Sequence, residues 1–150
     1  TLKNIARNLN LRTASQGTYV CMEGPQFSTR AESLMHREWG GDLIGMTAMP
    51  EAKLAREAQI CYSLIALASD YDCWKPHEVD MDKQTLLKEI LSNLETATNN
   101  CLRLIMAVLT SDEQLVCQDC RCRKSLDLAV WTNPDRIAPA DRENLKTLFE

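Results

Sequence analysis

The sequence predicts an α/β fold, a mostly parallel central sheet flanked by helices. Strand-forming and helix-forming segments alternate at short spacing through the first half of the chain, the pattern of parallel strands joined by crossovers. Both central strands run apolar without polar alternation, as strands covered on both faces do. Gly24-Pro25 and Gly40-Gly41 supply a turn and a stop where that pattern needs them.

Leu2, Ile5, Ala6 and Leu9 repeat at helical spacing, so the chain opens within a helix that has no lead-in cap. Residues 18–22, rich in β-formers, form the first strand. Ser28 or Thr29 then caps a helix to Trp39, with Glu32 placed for a capping box. Residues 42–46 form a second short strand. Pro50 opens a helix through about Ile60, since proline suits a first turn. Residues 61–68 are apolar with no helical period and are expected to be a third strand. From Met81 to about Leu109, Leu86, Leu87, Ile90, Leu91, Leu94, Ala97, Leu102 and Ile105 recur at three and four, one long amphipathic helix. Residues 111–124 are a cysteine-rich loop, and residues 125–131 and 141–149 two short helices. No internal repeat or linker divides residues 1–150, which form one domain or part of one.

Composition narrows the function. The chain has 150 residues, 45% hydrophobic and 25% charged, with net charge −4. These are globular values. The acidic balance and the absence of a Lys/Arg cluster argue against nucleic acid. No segment approaches the roughly 20 apolar residues of a membrane span, and no amino-terminal signal is visible. Seven cysteines, an odd number without a secretory marker, favour reduced thiols and a cytoplasmic location.

Three expected strand ends carry polar and aromatic residues: residues 22–32, 45–51 and 70–74. Ligands of open α/β sheets bind at such carboxyl edges. Asp70 and Asp72 stand two apart just beyond the third apolar run. A carboxyl group there can accept from an exocyclic amine and, if protonated, donate to a ring nitrogen. One edge of adenine presents both. The plainer alternative is two loop aspartates capping a turn. On residue type alone, Phe27 and Met46 also suit a core, Thr47 a helix cap and Met81 the first core position of the long helix.

Met22-Glu23-Gly24-Pro25-Gln26-Phe27-Ser28, Gly45-Met46-Thr47 and Asp70-Tyr71-Asp72, in this order and spacing, resemble the trimeric purine nucleoside phosphorylase family, in its methylthioadenosine-cleaving branch. The resemblance runs the length of the chain but corresponds to the carboxyl-terminal part of a member, one portion of a single phosphorylase domain. It implies cleavage of S-methyl-5'-thioadenosine by inorganic phosphate, a co-substrate, with no cofactor. Residue by residue, Asp70 resembles the carboxylate that engages purine N7 and the 6-amino group, a role requiring a raised pKa if it donates at neutral pH. Asp72 resembles the second carboxylate near the base, and Tyr71 lies between them. Phe27 resembles the aromatic packed against the purine, and Ser28 a position tied to base specificity. Met46 resembles the soft surface under the ribose, Thr47 a phosphate ligand, and Met81 a residue lining the 5'-substituent pocket. Asp at position 70 suits a 6-amino purine, where Asn would suit the 6-oxo purines of methylthioinosine, inosine or guanosine.

The family's phosphate site is built mainly from an amino-terminal Gly-containing loop and an Arg-His pair, none of which precedes Thr1. The chain by itself is therefore expected to be weakly active or inactive, and a non-catalytic remnant binding adenosine-like ligands is the alternative. The resemblance implies a homotrimer for the intact protein. His36 is expected to be packed or solvated, and His77 to reach at most the site rim. Cys117-x-x-Cys120-x-Cys122 has metal-ligand spacing, but no histidine follows and Cys73 or Cys101 would have to complete a set. The expectation is reduced thiols and no metal.

Overall fold

In the computed structural model of the chain, β1 (Tyr19–Cys21) leads through α2 (Arg30–Glu38) to β2 (Leu43–Gly45), and the two strands pair in parallel. The register sets Tyr19 against Leu43, Val20 against Ile44 and Cys21 against Gly45. The structure describes residues 1–14, 16–76, 82–112 and 119–149. It falls into two units, residues 1–46 with 65–115 and residues 47–64 with 116–150. An α/β fold is borne out.

In the first unit, Thr29 begins α2 through a full capping box. Its hydroxyl accepts from Glu32 N–H at 3.3 Å, and Glu32 Oε2 accepts from Thr29 N–H at 2.7 Å. Gly40, at φ +81°, takes the left-handed conformation that ends the helix. α1 (Leu2–Asn8) packs against α4 (Lys83–Leu109), burying Ile5, Ala6 and Leu104 with Leu9, Leu11, Ile65, Ala107 and Val108 around them. Asp82 starts α4 by accepting from Gln84 N–H and Thr85 N–H at 2.8 and 3.0 Å. Twenty-seven residues without Gly or Pro then carry it on. Its other apolar stripe, Leu87, Leu91, Leu94, Leu102, Ile105 and Leu109, is exposed.

In the second unit, α3 (Ala48–Glu57) has a non-helical Met49, so its regular turns begin with Pro50. The 3-10 turns Arg121–Lys124 and Pro134–Arg136 precede α5 (Pro139–Asn144) and α6 (Lys146–Phe149).

Three expectations change. Residues 61–68 form no strand ladder; the sheet of the described residues has only β1 and β2. A strand without polar alternation needs strand neighbours at its edges and cover on both faces, and here Leu64 and Leu67 stay exposed. Residues 125–129 make turns rather than a helix. The last helix starts earlier, at Pro139, and breaks at Leu145 into two.

Candidate functional site

The ends of β1 and β2 hold the candidate site in the first unit. Met22 N–H donates to Gly45 O at 2.9 Å, extending the strand pairing by one bond. The chain then turns at Gly24, whose φ of +77° suits glycine alone. A side chain there would also strike Met46 Cε, so Gly24 lets the Phe27 loop and Met46 lie against each other. Ser28 Oγ reaches Met22 Sδ at 3.6 Å, folding the loop back toward the strand.

The aspartate segment docks on the same loop. Cys73 Sγ donates to Ser28 O at 3.2 Å, and Trp74 N–H donates to Ser33 Oγ at 3.1 Å. Ser33, on α2, is 1% exposed. Arg37, one turn further along α2, sets its guanidinium 3.6 Å above the Trp74 ring. Tyr71 meets Trp74 edge to face at 5.8 Å, and Lys75 Nζ lies 3.7 Å from the Tyr71 ring centre. Asp72 Oδ1 accepts from Cys73 N–H at 2.9 Å, and Asp70 Oδ1 accepts from Ser69 Oγ at 2.6 Å. Asn93 of α4 donates to Ser69 O at 2.9 Å, fixing the start of the segment.

Of the residues expected at a site, Phe27, Ser28, Met46, Asp70, Tyr71 and Asp72 therefore belong to one unit. Contacts join Ser28 to the aspartate segment and Met46 to the Gly24 turn. Phe27 stands 81% exposed, and Asp70 and Tyr71 are exposed, whereas Ser28, Met46 and Asp72 are half-buried. Thr47 follows Met46 as the N-cap of α3, exposed and with no capping bond from its side chain. Met81 and His77 lie outside the described residues. His36 is half-buried with its ring 6.0 Å from Trp39.

Sequence reasoning missed Ser33, Arg37 and Cys73 as the residues that hold the segment. A signal existed in the spacing of Ser33 and Arg37, which share a face of α2. The tryptophan they serve lies 41 residues beyond Ser33, and helical periodicity does not reach that far.

The chain is similar to known proteins. Residues 1–110 match the family model of the phosphorylase superfamily. The S-methyl-5'-thioadenosine phosphorylase of Koribacter versatilis is 46% identical over 135 residues, 89% of this chain and 44% of that protein. A methylthioadenosine phosphorylase from an antarctic soil metagenomic library superposes with TM-score 0.70 at 33% identity, over 98% of this chain and 50% of its own. A variant adenosine/methylthioadenosine phosphorylase of Schistosoma mansoni, in complex with methylthioadenosine, superposes with TM-score 0.61 at 28% identity, covering 75% and 43%. The chain thus spans about half the length of the relatives it matches. With its match covering residues 1–110 and its parallel β1–α2–β2 crossover, the chain belongs to the phosphorylase superfamily.

Proposed function

We propose that this chain carries the purine- and ribose-recognising part of an S-methyl-5'-thioadenosine phosphorylase. The reaction splits S-methyl-5'-thioadenosine with inorganic phosphate into adenine and 5-methylthioribose 1-phosphate. A phosphate oxygen bonds to C1', the C1'–N9 bond breaks, and its electron pair leaves on the purine. No cofactor takes part. The observation that carries the reading is the 3.2 Å bond from Cys73 to Ser28 O, which draws the Asp70 segment onto the Phe27 loop.

Asp70 receives the 6-amino group and hydrogen-bonds N7, stabilising the charge that builds on the leaving base. Asp72 and Tyr71 flank it, Phe27 covers the purine, and Ser28 tunes which base is accepted. Met46 lies under the flattening sugar, Thr47 binds phosphate, and Met81 lines the 5'-substituent pocket. Residues 1–150 make up the carboxyl-terminal portion of one phosphorylase domain, cytoplasmic and homotrimeric when intact, in methionine and purine salvage. The relatives' names support the substrate class.

Calorimetric titration with adenine and hypoxanthine tests the assignment. The chain is expected to prefer adenine. Asp70→Asn should cut adenine affinity by roughly 10-fold or more, the value of a lost charged hydrogen bond, and relatively favour hypoxanthine. Unchanged preference, or no binding of either base, contradicts the reading. The alternative is binding of adenosine-like ligands without turnover. Adenine release from S-methyl-5'-thioadenosine in phosphate buffer separates the two.

A further inference from the structure

A second cluster of reactive groups lies in the other unit. Cys61, just beyond α3, meets Cys120 and Cys122 of the 3-10 turn, and the three sulfurs lie within 4.8 Å of one another. The sequence sets Cys120 and Cys122 two apart, and Cys117 lies outside the described residues. The third thiol comes from fifty-nine residues upstream.

Local structure fixes both halves. Arg123 N–H donates to Cys120 O at 3.0 Å and Ser125 N–H to Cys122 O at 3.3 Å, so the turn sets the spacing of its two thiols. Ser125 Oγ donates to Arg56 O at 2.6 Å, tying that turn to the end of α3. Past Arg56, Gln59 takes a left-handed φ of 56° and swings the chain toward Cys61. Tyr62 Oη donates to Glu51 Oε2 at 2.9 Å and anchors the residue after Cys61 back on α3.

We propose that Cys61, Cys120 and Cys122 form a three-thiolate site for Zn2+. Zinc–sulfur bonds of about 2.3 Å in a tetrahedron put the sulfurs roughly 3.8 Å apart. The observed 4.8 Å limit therefore needs only side-chain rotation, which exposed Cys61 is at liberty to make. Three thiolates leave the fourth position to water. Their net charge with Zn2+ is one negative, and Arg121, Arg123 and Lys124 stand on the same turn to offset it.

The ion displaces the protons of the three thiols on binding. No oxidant or reductant is involved.

The experiment is a titration of the reduced, chelator-treated chain with Co2+, then Zn2+, without oxygen. Expected are an equimolar thiolate-to-cobalt charge-transfer band, its loss on adding Zn2+, and a thermal midpoint raised by about 5 °C or more with Zn2+ well above Kd. Cys61→Ser should weaken binding roughly 100-fold or more, beyond what loss of an outer partner costs. Cys101→Ser, outside the cluster, should leave binding unchanged and serves as the folding control. Three outcomes overturn the proposal: no thiolate band, a cobalt affinity unchanged by Cys61→Ser, or a non-reducing thiol count placing Cys61 in a disulfide.

Discussion

Replacing Ser33 by Ala removes the acceptor that Trp74 N–H uses at 3.1 Å, from a side chain only 1% exposed. An unmet buried donor costs about 1–3 kcal/mol, so urea unfolding of Ser33→Ala should show a loss in that range. Gly24→Ala should cost roughly 1–2 kcal/mol, the cost of the left-handed turn in an L-residue, while Met46 Cε, the end of a flexible side chain, must move aside for the new methyl. The same measurement checks it. Phe27, Ser28, Asp70 and Asp72 were legible because each follows an apolar segment at a place where these folds put loops. Ser33 was not. A serine within a helix has the same sequence signature whether it faces water or, as here, receives the backbone of a distant loop.

Helix ends give the next scale its clearest expectations. Glu32, accepting from Thr29 N–H and Thr29 Oγ1, is held below the ordinary carboxylate range, and so is Asp82 by Thr85 and Gln84. A folded pKa lowered in this way adds stability above the unfolded pKa and loses it as pH falls through the folded one. Helicity of α2 and α4 should therefore hold at neutral pH and decline below the usual carboxylate range. Glu32→Gln should flatten that decline in a circular-dichroism acid titration. The two stripes of α4 should also differ sharply. Leu104→Ala, at 6% exposure, removes core packing against Ile5 and Ala6 and should cost about 2–5 kcal/mol. Leu102→Ala, on the exposed stripe, should stay within about 0.5 kcal/mol; thermal melts of the pair decide it. Periodicity marked α4 as amphipathic, yet could not say which of two apolar stripes was covered, since both repeat at three and four. Residues 61–68 met a similar limit: composition gave an interior strand, while a ladder requires a neighbour, and none pairs with them among the described residues.

Large apolar side chains stay exposed along α4, Leu87, Leu91, Leu102 and Leu109 among them, and chain length and composition alone gave no sign of it. The chain should consequently bind a hydrophobic dye and associate as its concentration rises, measured by sedimentation velocity. A dye-silent monomer at all concentrations would contradict this. One local feature gives the molecule a built-in lamp. Trp74 is shielded beneath Arg37 and beside Tyr71, while Trp39 and Trp131 are 71% and 91% exposed. Acrylamide should extinguish the two outer indoles first, and the emission that survives will report on the segment carrying Asp70 and Asp72.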